Sequence, residues 1–131
     1  MSRIRKWVET ILTKFDYYLL SIGEVNNYFI ENNYNFEFVV KEKLSFDYIT
    51  LDDETIIERI NYINYVINAF NKLSKPERII IYYLYICDVK LTSDSICEKV
   101  NMSLSKYYRD KKEAITKLAY ALGIKEDLKD D

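Results

Sequence analysis

Between residues 99 and 112 five cations, Lys99, Lys106, Arg109, Lys111 and Lys112, stand against a single anion, Asp110, in a chain whose net charge is −2. Hydroxyl and apolar side chains are interleaved with them. If this stretch is a helix with Tyr107 turned inward, its outer side near the start presents Ser103, Leu104, Ser105, Lys106, Tyr108, Arg109 and Lys112. That set suits the surface of duplex DNA. A guanidinium such as that of Arg109 reaches the two acceptors of guanine in the major groove. Ser105 and Tyr108 bond to bases or phosphates, and Leu104 meets a thymine methyl group. Ser103, Lys106 and Lys112 suit phosphates, which position a protein on the duplex without reading its sequence. The bland alternative is a solvated bundle helix, because lysine and arginine are ordinary on helix surfaces.

Other chemistries find less support. The chain has no histidine, so it lacks the usual general base at neutral pH and the nucleophile arrangements built on one. Two cysteines, Cys87 and Cys97, are too few and too far apart for a zinc cluster. We therefore expect no enzyme, no cofactor and no metal. The run Asp52, Asp53, Glu54 reads as charge at a helix start, and residues 126–131 as a solvated acidic tail rather than a magnesium site. Thirteen tyrosines would offer stacking platforms for single strands. Most of them lie at helical spacing among Ile and Leu, where core packing accounts for them; Tyr82, Tyr83 and Tyr85 in particular read as packing residues. Small buried thiols are the simpler reading of the cysteines than redox sensing.

The elements that must position the basic stretch are helical. With two glycines and one proline in 131 residues, the chain has too few turn formers for an all-β domain. We expect an all-α fold, a helical bundle with a C-terminal helix-turn-helix and an N-terminal helical extension. Over residues 3–31, apolar residues recur at three- and four-residue steps, which predicts one long helix or two short ones, with Gly23 as the break. Residues 32–51 lose that period and read as a linker, a strand pair or a short helix. A helix over 53–71 carries the seam Ile56, Ile60, Ile63, Ile67 and Phe70. Ser74-Lys75-Pro76-Glu77 is a capping box with proline in the first turn. The apolar run 79–87 would suit a strand by propensity, but the cap favours a helix buried on several sides. Thr92, Ser93 and Asp94 offer caps for a short helix ending near Val100, and Asn101 tolerates the left-handed turn. Ser103 caps a helix running to about Leu122, stopped by Gly123. In this helix-turn-helix Cys97 fills the crossing, Val100 and Met102 flank the turn, and Tyr107 points inward.

Residues 73–124 open with Leu-Ser-Lys-Pro-Glu-Arg and hold Met-Ser-Leu-Ser-Lys-Tyr-Tyr-Arg-Asp-Lys-Lys-Glu-Ala-Ile-Thr-Lys-Leu-Ala at 102–119. This stretch resembles the ArpU-type phage transcriptional regulators. That group is related to the RinA and LtrC late-gene activators of phages infecting low-GC Gram-positive bacteria, and its helix-turn-helix is similar to region four of sigma factors. The resemblance implies a regulator that binds duplex DNA and switches on late genes for packaging and lysis. Two residues depart from the pattern: Lys111 stands where sigma-like helices are usually aliphatic, and Asp110 puts an anion beside the base-facing positions.

The expected organisation is an N-terminal region, 1–51, with a role in oligomerisation, a sigma-region-four-like domain, 52–125, and an acidic tail, 126–131. Expected partners are duplex DNA, RNA polymerase and a second copy of the chain, since one recognition helix makes too few contacts for selectivity. Trp7, Ile11 and Phe15 are the expected self-association face. No stretch reaches the ~18 apolar residues of a membrane helix, and Glu9, Lys14 and Asp16 interrupt any signal-peptide core. No membrane partner is expected. The reading places the protein in the cytoplasm of a bacterial host cell, at the nucleoid when bound. Two other functions fit the same elements: a module docking on RNA polymerase or a sigma factor, and a small terminase subunit, which would form large rings.

Overall fold

Apolar seams on amphipathic helices must find partners, and in this chain they find each other. The computed structural model describes residues 3–21, 25–30, 35–40, 52–87 and 89–124. Among these residues the architecture is all-α: helices α1 (Arg3–Ser21), α2 (Asp53–Asn71), α3 (Lys75–Ile81), α4 (Ser93–Val100) and α5 (Leu104–Ala121) form a bundle. A short antiparallel hairpin joins α1 to α2, its strands β1 (Val25–Ile30) and β2 (Asn35–Val40) paired from Val25 opposite Val40 to Ile30 opposite Asn35. No helix of the described residues is long and apolar enough to cross a membrane.

The helical period expected through residue 31 stops ten residues early. α1 ends at Ser21 and residues 25–30 are a strand. In Val-Asn-Asn-Tyr-Phe-Ile the asparagines are poor helix formers and the β-branched and aromatic residues favour an extended chain once a partner strand is available. Of the three readings of residues 32–51, the strand pair is observed, shifted toward the N-terminus. Residues 41–51 and the acidic tail at 126–131 lie outside the described residues.

Two apolar clusters meet at α3. The larger takes Ile4, Val8, Leu12 and Phe15 from α1, Ile63, Val66, Ile67 and Phe70 from α2, and Ala114, Ile115, Leu118 and Ala119 from α5. The smaller gathers Ile79, Ile80, Tyr83, Ile96 and Tyr107. Ile81 belongs to the first cluster and Ile79 and Ile80 to the second, so α3 is covered on more than one side, and its almost wholly apolar sequence follows. Beyond Ile81 the helix widens into a π turn, Tyr82–Ile86, closed by the Cys87 amide donating to the Tyr82 carbonyl at 2.9 Å.

The N-terminal segment is built into this core. Phe15, expected on a self-association face, is 1% exposed inside the chain, and Ile11 packs at the edge of the same cluster. Trp7, by contrast, is half-exposed. Tyr62 of α2 donates to the Ile11 carbonyl at 3.1 Å and meets Tyr18 edge to face at 5.1 Å, with the Lys14 ammonium 4.9 Å from its ring centre. Burial, then the neighbouring Tyr18 and Tyr65, push the Tyr62 hydroxyl up to about 12, so it stays a neutral donor.

Glu77 ties α3 to α5. Its carboxylate accepts from the Ser74 amide at 2.9 Å, completing the capping box, and from the Lys117 ammonium at 2.9 Å. Burial opposes its charge, but the bonds from Lys117 and Ser74 outweigh burial and hold the carboxyl below its ordinary value of 4.5.

Two outcomes follow. Phe15→Ala is expected to lower the unfolding free energy by about 3–5 kcal/mol in urea titrations followed by circular dichroism; a loss near zero would show that α1 is an appendage. Because the Glu77 carboxyl is lowered in the folded state, its contribution is present above the ordinary value and lost as pH falls through the folded one. Wild-type stability should therefore drop below about pH 4.5 more steeply than that of Glu77→Gln, as read from thermal midpoints across pH 3–6.

Candidate nucleic-acid interface

The turn between α4 and α5 sets the geometry. Thr92 caps α4, its hydroxyl accepting from the Ser95 amide at 3.2 Å, and Ser103 caps α5 by accepting from the Lys106 amide at 3.2 Å. Between them Asn101 takes the left-handed conformation, φ 52° and ψ 54°. The Met102 amide donates to the Cys97 carbonyl at 3.1 Å and the Asn101 amide to the Glu98 carbonyl at 3.4 Å. This is the paired bond pattern that ends helices sharply. Gly123, at φ 79°, ends α5 with the same pattern, its amide donating to the Tyr120 carbonyl and the Ile124 amide to the Ala119 carbonyl.

Inside the hairpin Tyr107 is fully buried, with its hydroxyl 3.4 Å from that of Ser93. Burial is the main cause that raises the Tyr107 phenol above its ordinary value. The deepest residue of α4 is Ile96, which the sequence reading passed over; Cys97, expected at the crossing, packs half-buried beside it together with Val100 and Met102. The apolar residue between Ser95 and Cys97 was the available signal for it.

All seven residues expected at the interface lie on the exposed side of the first turns of α5. Ser103, Leu104, Ser105, Lys106, Tyr108, Arg109 and Lys112 are each solvent-exposed, with Leu104 45% and Tyr108 52% accessible. The Tyr108 and Tyr107 rings meet edge to face with centres 5.2 Å apart, which restrains Tyr108 while it remains exposed. Arg109 and Lys112 form no ion pair among the described residues, so both charges remain available. Lys106 differs. Its ammonium pairs with Asp110 one turn along the helix, so the anion on this side of α5 neutralises one particular lysine.

Lys111 is turned the other way. It is half-buried at the junction of α5 with α1, where burial and then the Arg5 charge lower its pKa and Glu9 opposes them. A long aliphatic stem can cover apolar surface while its charge reaches water, which accounts for a lysine at a position where an aliphatic residue is usual. Nearby, Arg5 bonds Glu9 at 3.2 Å, and burial followed by the charge of Glu9 pushes the Tyr85 hydroxyl up to about 12.

Residues 39–119 match the sequence profile of the protein family of unknown function DUF1492. The chain belongs to this family. The matched segment of the DUF1492 protein runs from the end of β2 through most of α5 and contains α4 and the turn between α4 and α5. Neither a curated protein nor a solved structure matches it.

The turn geometry carries a direct expectation. Asn101→Gly should leave stability unchanged or slightly higher, whereas Asn101→Val should lower it by about 1–2 kcal/mol, the penalty of a left-handed backbone at a side chain with a branched β-carbon. Equal urea midpoints for the two variants would contradict the assigned turn.

Proposed function

We propose that this DUF1492 protein is a sequence-directed, duplex-DNA-binding transcriptional regulator in which α5 is the recognition helix. The observation that supports this most is the joint exposure of Ser103, Leu104, Ser105, Lys106, Tyr108, Arg109 and Lys112 on one side of a helix whose opposite side is buried. Such a helix, held behind a tight left-handed turn, fits the major groove with its N-terminal residues toward the base edges. Arg109 is assigned to guanine, Ser105 and Tyr108 to bases or phosphates, Leu104 to a thymine methyl, and Ser103, Lys106 and Lys112 to the backbone.

The resemblance to ArpU-type regulators directs the reading toward activation of phage late genes in a bacterial host cell, at the nucleoid and in contact with RNA polymerase. A homodimer is part of the proposal because a single recognition helix rarely supplies enough contacts for selectivity. With Phe15 enclosed in the core, the outward side of α1 still offers Trp7, Tyr17 and Leu20, all exposed.

The test is a salt titration of binding to duplex fragments of the phage genome that carries the gene. Wild-type protein should saturate one fragment with affinity that falls as salt rises, and the Arg109→Ala/Lys112→Ala double variant should lose at least tenfold at fixed salt. Failure of the wild type to bind any duplex would overturn the proposal and favour docking on polymerase.

A further inference from the structure

Beside the helix-turn-helix, at the side of α5 that holds Lys106, three elements enclose a cleft of about 400 Å³. Lys75 and Pro76 come from the first turn of α3, Lys99 and Val100 from the end of α4, and Lys106 from α5, with Asn101 and Met102 of the turn between them. Lysines from three helices thus line one cleft. All three lysines are exposed and no carboxylate is among the lining residues, the Lys106 ammonium pairing with Asp110 outside the lining. The floor is apolar: Ile79 is 6% exposed and Val100 and Met102 are half-buried in the smaller cluster.

This convergence is a product of the fold. Lys75 lies far from Lys99 and Lys106 along the chain and reaches them only because α3 packs on both α4 and α5. The Lys99 ammonium also lies 5.1 Å from the ring centre of Tyr83, a contact that restrains the side chain. Lysine serves as a compact point charge for phosphate rather than as a planar fork for a base edge. Lys106 belongs both to the cleft and to the exposed side of α5, so a strand running along that side would pass through the cleft.

We propose that Lys75, Lys99 and Lys106 form a clamp for a phosphodiester of the duplex, next to the bases that α5 faces. This deepens the DNA-binding reading and rests on it. The clamp sets position and not sequence. Lys75 and Lys99 act from outside the recognition helix and fix how α5 enters the groove.

The test measures affinity against salt for wild-type full-length protein, Lys75→Gln, Lys99→Gln and the control Lys72→Gln, which alters an exposed lysine outside the cleft. The probes are the duplex fragment that the wild type selects and an unrelated duplex of equal length. Each cleft variant should reduce the slope of log affinity against log salt by about one and weaken both duplexes by the same factor. The control should match the wild type. Thermal midpoints confirm folding, and because Lys75 and Lys99 lie on different helices, one variant suffices if the other unfolds. Slopes equal to wild type in both cleft variants, with the Arg109→Ala/Lys112→Ala loss intact, would overturn the clamp and leave the DNA-binding reading standing. No duplex binding by the wild type would overturn both. Pyrophosphate binding that the cleft variants lose but that leaves the duplex bound at constant ionic strength would overturn the clamp and assign the cleft to a free phosphate ligand.

Discussion

Tyr107 is enclosed between α3 and α4, and Ala114, Ile115, Leu118 and Ala119 continue the same side of α5 into the larger cluster. These side chains determine the rotation of the helix about its own axis. A turn of about 100°, one residue's worth in an α-helix, would bring Tyr108 inward in place of Tyr107 but would also press Arg109 or Lys112 toward apolar surface. Burying an unpaired guanidinium or ammonium is prohibitively unfavourable. The exposed chemistry of α5 is therefore a consequence of what the other side must bury.

That rotation is passed on to the rest of the molecule through α3. This short helix divides its isoleucines between the two clusters, and its capping glutamate reaches Lys117 on α5. One carboxylate thus completes the start of one helix and holds another in place. On the opposite flank, α1 contacts α5 along the Arg5, Glu9 and Lys111 region and packs on α2 through Val8, Leu12 and Phe15. The presentation of the basic side is consequently sensitive to the N-terminal helix, although that helix lies far away in sequence and outside the matched family segment.

Local signals carried much of this into the sequence. The Ser74 capping box, the Thr92 and Ser103 caps, Asn101 at the turn and Gly123 at the end of α5 each act within a few residues, and each is found in its expected role. The exposed positions of α5 were legible for the same reason: one inward Tyr107 fixes the phase of all its neighbours. What was hidden depended on distance along the chain. The helical period of residues 3–31 is satisfied equally well by a helix and then a strand, and only pairing with β2 favours the strand. Phe15 looked available because its partners on α2 and α5 lie far downstream. The cleft that unites Lys75 with Lys99 has no sequence pattern at all.

The pairing of Lys106 with Asp110 gives the basic surface an internal stand-in for a phosphate oxygen. Without a polyanion the carboxylate keeps this lysine extended along the helix instead of free to roam, so little order has to be imposed on it later. In the proposed complex an incoming phosphate would exchange with a tethered anion rather than with a mobile counterion, and the tethered one cannot diffuse away. Contact at this position would thereby be both readily made and readily undone, a property suited to the proposed regulator, which would sample many stretches of duplex before stopping at one.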